Sequence, residues 1–191
     1  MSWMNANMMR SIMDVDGYRD IDTFVETGTA DAATACNMLS VFEFVVTIEL
    51  SKELFEKNKR NFASLYPRLM MLNGDSAEML WTLHHGMEPE VDKPCVFFLD
   101  AHKCALYEGL TAENDFPLWK ELDIIKERPY ADIVIVDDVH AFDRKRDSDG
   151  YGFWDGVTPK AIADRLDRVR HAAVYRDQFC VFRNVKEPVT A

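Results

Sequence analysis

The sequence predicts an α/β domain with a mostly parallel sheet, covered by helices on both faces and closed by a C-terminal antiparallel hairpin. Three observations carry this prediction. Strand-like and helix-like segments alternate along the chain as five β-α units. The strand-like segments are near-continuous apolar runs, as a sheet buried on both faces requires. The last two, 172–175 and 179–183, flank a short turn at Arg176-Asp177, which is a hairpin signature.

The elements follow in order. Residues 22–26 (DTFVE) are a short strand ending in an acid and then a glycine-containing turn, and the Ala-rich 30–40 reads as a helix. Residues 44–49 (FVVTIE) are β-branched and also end in an acid. Ser51 is placed as an N-cap for a helix over 53–65, with Leu54, Phe55, Phe62 and Leu65 on one side. A third strand at 68–72 closes on Asn73-Gly74-Asp75, and Ser76 opens a helix through His84. Pro94 precedes the most apolar strand, 95–99, which ends at Asp100. A helix over 113–128 has Pro117 near its first turn, and strand 132–136 runs into Asp137-Asp138. A helix over 159–170 precedes the hairpin. The Met-rich segment 1–20, with Met1, Met4, Met8, Met9 and Met13, reads as an amphipathic helix packed on the domain.

A chain of 191 residues suits one domain, and nothing in it marks a linker or a repeat. No apolar run approaches the ~18 residues of a membrane helix, and Asp14, Asp16 and Asp20 interrupt the N-terminal segment where a signal peptide would be apolar. A cytoplasmic protein is expected. Lys and Arg number 22 against 33 Asp and Glu, a formal charge of −11. That balance argues against nucleic acid as the main partner, although Arg144, Lys145 and Arg146 form a local basic patch. The four cysteines show no CxxC spacing, and Cys36, Cys95 and Cys180 read as reduced core thiols.

The placement of the acids points to function. Glu26, Glu49, Asp75, Asp100 and Asp137 each end a strand or lie in the turn after it. In a parallel sheet those ends share one edge, where ligands bind. Carboxylates gathered there repel one another unless a cation or hydrogen-bond donors compensate. Glu49 follows Gly28 by 21 residues, the separation at which an acid ending a second strand accepts from a ribose. The dinucleotide fingerprint and the P-loop are both absent: the turn reads Glu26-Thr27-Gly28-Thr29-Ala30-Asp31-Ala32. Asp31 at the following helix start disfavours a diphosphate and tolerates a cationic sulfonium.

Those residues resemble the motifs of the class I S-adenosylmethionine-dependent methyltransferases, over residues 22–183. VETGT (25–29) is similar to the first cofactor motif, VVTIELS (45–51) to the ribose motif, and NGDSAEML (73–80) to the adenine motif. FFLDAHK (97–103) and IVIVDDVHAF (133–142) match the fourth and fifth strands. The resemblance implies a Rossmann-like seven-stranded sheet of order 3-2-1-4-5-7-6 with its last strand antiparallel. It implies S-adenosylmethionine as cofactor, held by Glu26, Gly28, Thr29, Glu49, Leu50, Asp75, Ser76 and Asp100. One departure is that Ala32 and Ala33 stand where such turns usually carry glycines.

A second resemblance, to metal-dependent O-methyltransferases, implies that Asp100, Asp137 and Asp138 coordinate Mg²⁺. It makes Lys103 the general-base candidate, with His102 and His140 as rival bases. A hydroxyl so activated would attack the sulfonium methyl in line. His84-His85 reads as a helix end complementing the dipole, and Asp147-Ser148-Asp149-Gly150 lacks the later acid of a calcium loop. In the loop 144–154, Tyr151, Phe153 and Trp154 either cover a substrate or tuck onto the core.

The expectation is therefore an O-methyltransferase acting on a small-molecule hydroxyl, with no nucleic-acid or membrane partner and with a homodimer allowed. The rival expectations are an inactive methyltransferase-like module that binds S-adenosylmethionine, S-adenosylhomocysteine or a related adenosine ligand, and the same fold holding the cofactor for other chemistry.

Overall fold

Seven strands form one sheet in the computed structural model, which describes residues 4–15, 17–86, 88–101, 116–144 and 154–185. They are β1 (Thr23–Thr27), β2 (Phe44–Glu49), β3 (Leu69–Asn73), β4 (Val96–Leu99), β5 (Ile133–Val136), β6 (Val169–Tyr175) and β7 (Gln178–Arg183). The sheet order is β3-β2-β1-β4-β5-β7-β6, the order expected. β7 runs antiparallel to β5 and β6, and the other pairings are parallel.

Alternation along each strand builds two cores, one on each sheet face. Val25, Val46, Phe97, Val134 and Val181 face helices α4 (Ser76–His85), α5 (Leu118–Glu127) and α6 (Pro159–Leu166). Phe24, Val45, Val96, Phe98, Ile133 and Phe182 face the other side, against α1 (Ala6–Met13) and α2 (Ala33–Met38). The N-terminal helix is amphipathic as expected, with Met9, Ile12 and Met13 buried. Cys95 and Cys180 are buried free thiols, both pushed by burial up to about 12, and Cys36 is half-buried and free. Cys104 lies outside the described residues.

Side-chain caps start four helices in the same way. Asn5, Ser51, Asp75 and Thr158 accept from the backbone amides of Met8, Leu54, Glu78 and Ala161, so Ser51 caps α3 (Lys52–Asn61) as its residue type predicts.

Several element ends differ from expectation. Of the helix expected over 30–40, α2 keeps only Ala33–Met38, because Ala30 and Ala32 are left-handed. α3 ends at Asn61, followed by a 3-10 turn over Ala63–Leu65 in place of the rest of 53–65. α6 stops at Leu166, because Asp167 and Arg168 take positive φ of 54° and 45° and turn the chain. Arg168 pins that corner by donating to the carbonyls of Lys126, Arg128 and Asn184, and β6 begins at Val169 where 172 was expected. α5 is described from Leu118, with Pro117 as its N-cap. Residues 113–115 of the expected helix lie outside the described residues. No described helix is long and apolar enough to cross a membrane.

Candidate functional site

Parallel pairing of β1, β2, β4 and β5 brings their C-terminal ends to one edge. Gly28 leaves β1 there, and its amide and that of Thr29 both donate to the Ile48 carbonyl at 3.0 and 3.2 Å. Gly28 has φ +87°, and a Cβ on it would lie 2.5 Å from the Asp100 carbonyl oxygen. The turn therefore passes against the end of β4 at a distance only glycine allows. Ala30 and Ala32 then take φ of 47° and 63°, left-handed values that favour glycine. Of the Ala32-Ala33 departure, only Ala32 carries this strain, since Ala33 is the first residue of α2.

Glu49 ends β2 and is held from both sides. Its Oε2 accepts from the Ala30 amide at 2.9 Å and its Oε1 from the Ser51 amide at 2.7 Å. A carboxylate has further lone pairs beyond these two bonds, available to hydroxyl donors such as those of a ribose. Behind it, Thr47 donates to the buried Glu26 carboxylate at 2.6 Å, and the Thr29 hydroxyl lies 2.6 Å from that of Thr47. Burial, followed by the neighbouring carboxylates of Asp100, Glu49 and Asp31, pushes Glu26 well above the ordinary carboxylate range. Glu49 is also raised, by burial, against the lowering effect of its amide donors. The expected convergence of acids is thus real for Glu26, Glu49 and Asp100, and Asp31 joins them.

Asp75 is placed differently in kind. Its side chain caps α4 by accepting from the Glu78 amide at 3.1 Å, and Ser76 is the buried first residue of that helix. Leu50 is exposed. Sequence reasoning missed three supports of this edge. Thr47 lies two residues before Glu49 on the same strand, Asn58 of α3 donates to the Ala30 carbonyl at 2.8 Å, and Asn73 donates to the Glu49 carbonyl at 2.7 Å. A polar residue inside the apolar run 44–49, in phase with Glu49, was the available signal for Thr47.

Asp137 and Asp138 point in different directions, as neighbours at a strand end do. Asp137 is buried and accepts from Gln178 of β7 at 2.8 Å. Asp138 takes a left-handed φ of 58°, with an oxygen 3.9 Å from Nδ1 of His140. Two groups of described His, Cys, Asp and Glu side chains bring ligand atoms within 4.8 Å of one another: His84, His85 and Glu127, and Asp138, His140 and Asp177. Asp100 and Asp137 belong to neither group, and Asp138 falls in the second, with His140 and Asp177. Lys103 and His102 lie outside the described residues. Trp154 is buried against Phe116 and Phe142, the core position of the two that the loop allowed, while Tyr151 and Phe153 lie outside the described residues.

No family model and no curated protein matches the sequence. Solved structures do match. An S-adenosylhomocysteine-bound methyltransferase of Podospora anserina, PaMTH1, is 17% identical with a TM-score of 0.60, covering 94% of this chain and 76% of that one. A structure described as a caffeoyl-CoA O-methyltransferase of Staphylococcus aureus is 16% identical with a TM-score of 0.57, covering 97% and 86%. A spermidine synthase of Thermotoga maritima is 11% identical with a TM-score of 0.55, covering 95% and 62%. Together with the strand order, these likenesses establish that the chain has the Rossmann-like fold of the class I S-adenosylmethionine-dependent methyltransferases.

Proposed function

We propose that the protein binds S-adenosylmethionine at the edge built by Gly28, Glu49 and Glu26, and transfers its methyl group to a hydroxyl of a small molecule. One observation carries this reading: Glu49 is clamped by two backbone amides beside a glycine turn that fits only against the end of β4. Glu49 is thereby oriented for ribose hydroxyls, and the carboxylates of Asp31 and Asp100, whose charge also bears on Glu26, supply a negative field for a cationic ligand. When bound, the cofactor supplies an electrophilic methyl on a sulfonium.

The chain's own part is to position the acceptor and to take its proton. His140, three residues past Asp137 on the same sheet edge, is the base assigned here, and its half-exposed ring is open to solvent and solutes. Mg²⁺ assistance is not part of the proposal, because neither group of close ligand atoms among the described residues includes Asp100 or Asp137. The charge of −11 favours small acceptors over a phosphate backbone. Since the fold is shared with a structure named for a different activity, the reading rests on the site and not on the fold.

Calorimetric titration with S-adenosylmethionine and S-adenosylhomocysteine tests it. Micromolar binding is expected, weakened roughly 10- to 100-fold in Glu49→Gln, the scale of one lost charge-assisted hydrogen bond. No heat at millimolar ligand would sink the proposal. The strained Ala30 and Ala32 favour a second reading, a module that binds the cofactor without transferring its methyl. Binding without release of S-adenosylhomocysteine across a panel of phenols and sugars would select that reading.

A further inference from the structure

The hairpin turn between β6 and β7 grips the loop after β5 at one residue. The backbone carbonyl of Asp177 accepts from the Val139 amide at 2.9 Å. Its Oδ1 accepts from the His140 amide at 2.9 Å, and its Oδ2 lies 2.7 Å from Nδ1 of the His140 ring. All three acceptors of Asp177 are thus turned onto two consecutive residues. Arg176, at φ +57°, makes the tight bend that delivers Asp177 to this position. The ring remains half exposed.

The chemistry of the contact sets the tautomer. An ionised carboxylate only accepts, so Nδ1 must carry the proton in this hydrogen bond. The lone pair of a neutral His140 ring then sits on Nε2, the nitrogen that Asp177 does not engage. We propose that Asp177 is a positioning residue that holds His140 as the Nδ1–H tautomer and presents Nε2 as the proton acceptor at the methyl-transfer edge. The assignment of a base rests on the methyl-transfer reading; the tautomer does not. In the step, the acceptor O–H gives its proton to Nε2, and the oxygen lone pair forms the new O–CH₃ bond as the S–CH₃ bond breaks. The sulfur keeps that electron pair and leaves as a neutral thioether. Asp177, with the Asp138 oxygen 3.9 Å from the same nitrogen, faces the imidazolium so formed.

Asp177→Asn separates this role from a purely structural clamp. The backbone N–H of His140 can only donate, so the asparagine oxygen must stay on it, and the backbone carbonyl at 177 still holds Val139. The asparagine NH₂ is then left against Nδ1, and it can only donate. The ring must shift its proton to Nε2, losing the lone pair there, while the loop stays anchored. Long-range ¹H–¹⁵N correlation spectra of ring-labelled protein at about two pH units above the ordinary imidazole value read the tautomer directly. The expected result is Nδ1–H in the wild type and Nε2–H in Asp177→Asn. Diethyl pyrocarbonate, which acylates an unprotonated ring nitrogen, is expected to modify His140 at least tenfold more slowly in the variant, with exposed His85 as the internal reference.

Nε2–H in the wild type, or an unchanged tautomer and unchanged acylation in the variant, would overturn the proposal, and the wild-type spectrum decides even if the variant fails to fold. Calorimetry keeps the two readings apart. Absence of S-adenosylmethionine binding with the Nδ1–H tautomer present would overturn methyl transfer, and the base role with it, whereas binding with the wrong tautomer would overturn this inference alone.

Discussion

Gly28 shows how one missing Cβ can fix a site. At φ +87°, with a Cβ position 2.5 Å from a backbone oxygen, Gly28→Ala must either strain the turn or push β1 away from β4. The expected cost is at least about 2 kcal/mol, read as a lower urea midpoint, and S-adenosylmethionine binding is expected to be lost. Ala30 presents the opposite case. It bears a left-handed φ of 47° with only a half-buried methyl, so Ala30→Gly is expected to stabilise by about 0.5–1 kcal/mol, net of the extra freedom glycine gives the unfolded chain. Thermal melts of the two single variants, moving in opposite directions, check both. Glu26 gives the pH prediction. Its folded carboxyl keeps a proton above the value of 4.5 at which the unfolded chain releases it. The fold then binds more protons than the unfolded chain, so stability falls as pH rises from about 4.5 toward the raised value. The loss is up to about 1.4 kcal/mol per pH unit in that window. Glu26→Gln is expected to flatten this part of the stability–pH profile; an unchanged slope would show that Glu26 ionises normally.

At the scale of elements, the far end of the sheet is tied together by one buried acid. Asp132 is fully buried just before β5, accepting from the Cys95 amide at 2.9 Å and from the Arg128 guanidinium at 3.0 and 3.2 Å, with Arg183 of β7 at 3.4 Å. Arg183 is fully buried as well and also donates to the Ile125 and Lys126 carbonyls at the end of α5. The parallel part of the sheet, the antiparallel hairpin and α5 therefore meet on Asp132. Asp132→Asn removes the charge while keeping the shape, leaving the buried Arg128 guanidinium without this counter-ion and Arg183 with only the part-exposed Asp167, at 3.5 Å. The expected loss is about 3–5 kcal/mol, measured by urea unfolding followed by circular dichroism, with the loss of hairpin signals as its structural trace. A loss below about 1 kcal/mol would mean that the guanidinium–carbonyl bonds alone hold this junction.

Across the molecule, the strands, the two covered sheet faces and the acid-lined edge were legible in the sequence because each rests on a local period or on a residue at a strand end. The strand order followed instead from the resemblance to the methyltransferases. The apolar runs 95–99 and 133–136 could only be central strands, and Glu49 could be placed from its distance to Gly28. What was not legible depends on contacts far apart in sequence. Nothing near Asp177 in the sequence says that it grips His140, 37 residues earlier. The capping role of Asp75 is a matter of side-chain direction, which strand-end position does not determine. The Asp167 and Arg168 turn that ends α6 is driven by carbonyls of α5 and its following loop, invisible to helix periodicity.

The net charge of −11 yields a prediction that belongs to the whole molecule. S-adenosylmethionine and S-adenosylhomocysteine differ by one methyl and one positive charge, so the ratio of their affinities isolates the response of the edge to a cation. The carboxyls of Glu26 and Glu49, both raised, ionise more fully as pH rises, and a bound cation favours the ionised forms. The preference for the sulfonium is therefore expected to grow as pH rises above the ordinary value of 4.5, accompanied by proton release measurable as a buffer-dependent binding enthalpy. Added salt screens the exposed part of the acidic surface and leaves the buried carboxyls little affected. Raising ionic strength from about 0.01 to 1 M shortens the Debye length from about 30 to 3 Å, and the preference is expected to shrink without vanishing. A preference independent of both pH and salt would show that the methyl is recognised by shape and that the acids at the sheet edge serve the fold alone.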